Sequence, residues 1–279
     1  EGIDALTIDP EAFYETTNLT SISFPARLAE MDLQILNQFS KLSTLEVEAG
    51  GINYSSMNNM ICNGTGSAIL YAPRSVSGEF KVPQGVREIG AKAFADRPAL
   101  TKVIVPAYVN TIGDGAFRNS VGITEVIIEG SRNNNLTIGA NAFAGCKELS
   151  SVIFQGNGTA TPDAGETVIG TGAFSGDAKL KNLVYENGTN ITQIGANAFA
   201  NCTSLDEAYI PATVSSVGSN AYSGCSGVLE VTFAPNGKEI TFGNNVFAGC
   251  VKLTTVNLPA SIQSFANGVF AGCDELREI

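Results

Sequence analysis

Five cysteines, Cys146, Cys202, Cys225, Cys250 and Cys273, each stand three residues after an aromatic ring: Phe143, Phe199, Tyr222, Phe247 and Phe270. Thiols can ligate zinc, pair as disulfides or sit in a core. Zinc would need clustered pairs such as Cys-x-x-Cys, and the chain has none. Stacked neighbours could satisfy the Cα distance of a disulfide, but side chains in one register run parallel instead of facing each other. The spacing therefore favours buried free thiols, with disulfides as the alternative. Cys62 lies outside the pattern, and its state stays open. Histidine is absent, which removes the commonest general base and metal ligand. A hydrolase would need a nucleophile beside a base, or paired carboxylates in a cleft, and the carboxylates here are dispersed. "GSNAYSG" fits a repeat instead of a nucleophile elbow, and "GTGAFSG" and "GTGSAIL" lack the Lys-Ser/Thr ending of a phosphate loop. The residues point to no catalytic group, no metal and no cofactor.

The positions around those rings repeat. "IGANAFAGC" begins at Ile138 and "IGANAFANC" at Ile194. Aligned on the ring, the phrase recurs at Phe94, Phe117, Phe143, Phe174, Phe199, Tyr222, Phe247 and Phe270, with spacings of 23, 26, 31, 25, 23, 25 and 23 residues. A period in the twenties is the signature of a solenoid. Two looser copies precede these, with Phe13 and Leu36 in the ring slot, so the reading is ten coils. Between Val47 and Val82 the rhythm breaks. The apolar runs "MIC" and "AILYA" flank "NGTG" at 63–66, which predicts a hairpin. The organisation is one array over 1–279 with a hairpin insertion at 48–81.

Each unit reads I-G-x-x-A-F-x-x-C-x-x-L-x-x-V-x-V, often followed by Pro. Phe, Cys and Leu at three-residue intervals share one face of a short helical or 3₁₀ turn. The letters after Leu alternate, so Val103 and Val105 point inward while Lys102 and Ile104 point outward. The corner, Gly90, Gly113, Gly139, Gly170, Gly195, Gly218 and Gly243 in seven of the units, is expected to need a positive φ. One coil cannot bury its ring, thiol, Leu and Val alone; stacking buries them in a continuous core. Phe13 and the eight rings above, with the five cysteines, form the expected core ladder, interrupted where Arg97, Ser120 and Asp177 take the Cys slot. The expected fold is an α/β solenoid with a parallel sheet on one side and short helical or 3₁₀ turns on the other. Ten coils at about 4.8 Å would make a rod of roughly 50 Å.

On the outward sheet face, Ile104, Ile127, Ile153, Val184 and Tyr209 are expected to form one stripe along five successive strands. Lys102, Glu125, Glu207 and Glu230 run beside it. Strand propensity alone favours Ile and Val there; a contiguous exposed apolar stripe also marks protein-binding surfaces. The net charge of −11, with 16 basic residues and no basic cluster, argues against nucleic acid and anionic membranes. No apolar run approaches the roughly 20 residues of a membrane-spanning helix. Asn-x-Ser/Thr triplets at Asn63, Asn157 and Asn187 are expected of Asn/Gly/Thr-rich turns.

The recurring "IGxxAFxxCxxLxxVxxP" closely resembles the BspA-type (Treponema pallidum-type) leucine-rich repeats of bacterial surface proteins, over nearly the whole chain. The hairpin segment is similar to an insertion seen in such proteins. The resemblance implies a curved right-handed leucine-rich solenoid, exported and displayed at the cell surface, and adhesion to host matrix proteins or other cells. It supplies no catalytic motif. The reading is thus a non-enzymatic cell-surface or secreted protein that binds a protein ligand, in host matrix or on another cell surface. A spacer or display scaffold in a larger surface protein is the alternative. A carbohydrate-binding module comes third, disfavoured by the absence of Trp. The chain stops at Ile279 inside an expected strand, so self-association through an uncapped C-terminal coil is a further expectation.

Overall fold

The computed structural model describes residues 4–131, 133–157, 165–235, 239–259, 262 and 264–279. The chain winds as a β-solenoid of about ten turns with almost no helix. Each full coil contributes two strands. The longer strands follow the conserved Leu. Gly78–Lys81, Leu100–Val105, Glu125–Ile128, Ser151–Phe154 and Asn182–Tyr185 pair in parallel as one sheet, and Glu207–Ile210, Glu230–Phe233 and Thr255–Asn257 as a second. The shorter strands precede the corner glycine and run without interruption from Glu88–Ile89 to Thr241–Phe242.

The phrase between corner and strand is turn, not helix. Among the described residues, only Leu33–Gln38 is a 3₁₀ helix, opened by Asp32, whose carboxylate accepts the Gln34 N–H. Elsewhere isolated i→i+3 bonds occur, such as Ala93 N–H to the Gly90 carbonyl, but they do not propagate. The residues two before and two after each ring adopt the left-handed region, for example Asn141 (φ 54°) and Gly145 (φ 74°), or Asn197 (φ 56°) and Asn201 (φ 62°). Asn and Gly occupy most of these slots because they tolerate that conformation best. The N–H groups of the ring residue and of these two left-handed residues bond to the next coil. Phe117 donates to the Ala142 carbonyl at 2.7 Å, and Phe143 and Phe174 repeat the bond to Ala173 and Ala198 at 2.8 Å. A helix would take those donors back into its own coil.

The corner glycines depart from expectation. Gly90, Gly113, Gly139, Gly170, Gly195, Gly218 and Gly243 do not have positive φ. What excludes a side chain is the previous coil. A Cβ on Gly113 would lie 2.6 Å from the Ala91 nitrogen, and one on Gly195 2.6 Å from the Gly170 carbonyl carbon. The close approach lets each corner N–H donate to the coil before, as Gly139 does to Ile112 at 2.7 Å.

Inside, the rings of Phe94, Phe117, Phe143, Phe174, Phe199, Tyr222, Phe247 and Phe270 stack with centroids 4.9–5.7 Å apart. All but Phe270 are fully buried. Phe270 and Cys273 are partly exposed. Phe13 is likewise half-buried, edge-on to Phe39 at 5.5 Å. Phe39 and Phe80, which the repeat does not predict as ring-stack members, extend the aromatic contacts; Phe80 lies 4.5 Å from Phe94.

The insertion holds more than the expected hairpin. Met60–Asn63 and Ala68–Tyr71 pair antiparallel across 64–67, and a further strand, Tyr54–Met57, adds to Met60–Asn63 through Asn58 and Asn59, both left-handed. Together they extend the short-strand sheet to ten strands. The core divides here into a first cluster around Leu36, Phe39 and Tyr71 and a second holding the ring stack. Arg97, fully buried, crosses the division: its Nη2 donates to Asn37 Oδ1 (3.1 Å) and Ala72 O (2.6 Å), and its guanidinium lies 5.0 Å from the Tyr71 ring centroid.

Candidate binding face

The long-strand sheet turns alternate residues outward. Register brings Ile104, Ile127, Ile153 and Val184 side by side in one row. The first three are half-buried and Val184 is 41% exposed. Tyr209 occupies the same template slot but belongs to the second sheet, so the row of five successive strands is broken between Val184 and Tyr209. Beside Tyr209 the slot continues as Thr232 and Asn257.

The flanking row is electrostatically uneven. Lys102 bonds Glu125 at 2.8 Å and approaches Glu79 at 3.8 Å. Its hydrogen bond to Glu125 holds the ammonium pKa above its usual value. Lys81 pairs with Glu129 at 2.9 Å. Further along, Glu207 stands directly opposite Glu230 in register, and no ion pair among the described residues neutralises either. Asn257 donates to Glu230 Oε1. Like charges opposed across a parallel pair destabilise it slightly, so this end of the face is set for positive charge.

The thiols form a different device. Cys146, Cys202, Cys225, Cys250 and Cys273 are free, each donating to the ring residue's carbonyl one coil earlier at 3.1–3.4 Å. Burial pushes their pKa values upward. Ser120 copies the bond with its hydroxyl to Phe94 at 2.6 Å. Asp177 does not: its carboxyl is buried near the backbone N–H groups of Cys146 and Gly145, which favour its charge, but burial outweighs them and pushes its pKa up to about 9. Cys62, in the insertion, is buried and free, its pKa raised to about 11 by burial. Thiols this protonated are poor nucleophiles.

Among the described residues, no three His, Cys, Asp or Glu side chains gather as a metal site, and no helix is long and apolar enough to cross a membrane. A cleft of about 340 Å³ on the turn side is lined by two cations, Lys92 and Arg118, and two acids, Asp96 and Asp114. The glycosylation-type triplet at Asn157 runs into residues outside those described.

The ladder of corner, ring and thiol, repeated with one strand register, is what a leucine-rich-repeat model captures. The model described as BspA type leucine rich repeat region matches in six copies over residues 4–65, 71–164 and 162–277. The chain belongs to the BspA-type leucine-rich-repeat family. In solved structures it is similar to a leucine-rich repeat protein from Eubacterium ventriosum, at 21% identity and TM-score 0.67 over 96% of this chain and 64% of that one. It is also similar to a leucine rich cell surface protein from Faecalibacterium prausnitzii, at 25% identity and TM-score 0.54 over 83% of this chain and 52% of that one. The chain thus spans between about half and two thirds of these relatives. No curated protein sequence matches it.

Proposed function

We propose that this BspA-type repeat array is a non-enzymatic, cell-surface or secreted module that binds a protein, in host matrix or on another cell, through its long-strand face. The observation that carries the reading is the in-register aliphatic row Ile104, Ile127, Ile153 and Val184 on an outward sheet face, bordered by uncompensated Glu207 and Glu230. Contiguous apolar surface of this kind is a recurrent feature of protein-binding sites. A second reading, a stiff spacer, is favoured by the unbroken ten-strand sheet and the stack of eight rings.

The two readings part in one experiment. The wild type and the double variant Ile127→Glu/Ile153→Glu are titrated against immobilised, purified matrix and serum proteins. The binding reading expects saturable binding to at least one of them, weakened by about tenfold or more in the variant, as for loss of central interface anchors. Equal binding by both proteins, or none by the wild type, sinks the face and leaves the spacer.

A further inference from the structure

The break between Val184 and Tyr209 is a gap with two open strand edges. Coils on either side are joined at the turns, where Ser204 N–H donates to the Ala178 carbonyl and the rings of Phe174 and Phe199 stack at 5.4 Å. They are joined again at the short strands, where Thr213 Oγ1 donates to the Ile191 carbonyl at 2.8 Å. Between those closures, Asn182–Tyr185 and Glu207–Ile210 do not pair. Almost all their Cα atoms stay more than 8 Å apart. Paired strands lie about 4.8 Å apart, so a gap that admits one more strand measures about 9.6 Å.

The gap presents backbone, and its sides are open to hydrogen bonding. Asn182 and Glu186 direct their N–H groups at Ser150 and Phe154, on the far side. The alternate residues, Leu183 and Tyr185, therefore turn theirs into the gap. Across it, Asp206 and Ile210 give their carbonyls to Leu229 and Ala234, which leaves those of Glu207 and Tyr209 facing Leu183 and Tyr185. Unpaired edges of this kind are templates for strand addition.

Two residues that flank the opening differ from most of their counterparts in the repeat. Tyr185 stands in the slot of Val105, Ile128 and Phe154, stacks on Phe154 at 5.2 Å and leans to within 6.3 Å of the Tyr209 ring. Ala208 stands where other coils carry Val103, Val126 and Val231. Both residues fall on the coil pair at which the five-strand and three-strand sheets separate.

The geometry points to a strand-binding slot: residues 182–185 and 207–210 take up an extended segment of a partner protein, about four residues long, by completing the sheet between them. The segment is cationic on its outward positions, because Glu186 and Glu207 are exposed at the rims, whereas Asp206 is already paired with Lys181 at 3.6 Å. The slot rests on the reading of this chain as a protein binder, and it adds where and in what conformation a partner docks.

The test uses the full chain and a blocked octapeptide of alternating valine and lysine, with the same peptide N-methylated at alternate valines as control. In the free chain, the amides of Leu183 and Tyr185 exchange with solvent faster than those of Ile127 and Ile153. The peptide slows them by about tenfold or more, and the N-methylated peptide, which cannot pair, binds at least about tenfold more weakly. Tyr185→Val/Ala208→Val restores the repeat residues, slows those amides without peptide and loses affinity for it. Ile127→Glu/Ile153→Glu keeps peptide affinity within about twofold, so failure of the face and failure of the slot are read separately. Equal binding of the two peptides, no saturable binding of the unmethylated one, or unchanged affinity in the restored variant overturns the proposal.

Discussion

At the scale of single residues, the position three after the ring shows how strictly the core is specified. Six coils place there a small donor, thiol or hydroxyl, that reaches a carbonyl one coil back. Asp177 puts a carboxyl in that slot between Cys146 and Cys202. With its folded pKa at about 9 against an ordinary 3.8, the folded chain holds a proton that the unfolded chain has released. Stability is therefore full below about pH 4 and falls as pH rises through the window up to about 9. Asp177→Cys restores the donor and removes the penalty. It is expected to raise stability at pH 7 by roughly 2–4 kcal/mol, a gain that vanishes below about pH 4. Denaturant titrations of both proteins at pH 4, 7 and 9 check this, and a pH-independent difference would show that Asp177 is solvated. The sequence marked Asp177 as a departure from the ladder; that its carboxyl is shut away from water depends on coil packing that no spacing reveals.

At the scale of the element, the coil is held by contacts directed both forward and back. The corner N–H reaches the previous coil, and the ring N–H reaches the next. This reciprocity explains why the turn side is not helical although its apolar residues have a helical spacing. Periodicity reports which side chains share a face; it does not report where the N–H groups go. The corner glycine carries the same lesson, since backbone proximity and not backbone sign excludes a side chain. Gly195→Ala, with its Cβ set 2.6 Å from the Gly170 carbonyl carbon, is expected to destabilise the array by roughly 2–4 kcal/mol. Gly176→Ala, at φ 79° and with open space around it, is expected to cost only about 1 kcal/mol through its backbone conformation. Thermal melts of the pair discriminate: equal losses would return the corner to a matter of φ.

At the scale of the whole molecule, a solenoid's stability is a sum of coils and their interfaces, so a weak interface can uncouple one end from the other. The insertion creates such a place, and Arg97 spans it with bonds to Asn37 and Ala72. Arg97→Met keeps much of the volume but strands those acceptors, at a cost of roughly 2–4 kcal/mol. Calorimetry is expected to show the segment before residue 68 melting ahead of the ring stack in the variant, where the wild type melts together. One cooperative transition in both would mean that the hairpin strands alone couple the two cores.

The amino-acid sequence by itself determined the solenoid, its period, the inward ladder and the family, because these follow from which side chains recur, and recurrence is local information. It also showed the rhythm breaking between Val47 and Val82 and put Ile104, Ile127, Ile153 and Val184 at equivalent positions of their units. Only the tertiary structure decided that Tyr209 stands apart from that row, that Arg97 bridges two cores, and that a pair of strands in the middle of the array has come unzipped. Each of those depends on the distance between consecutive coils, and that distance is set by side chains of several coils packing together, which a repeat template averages away.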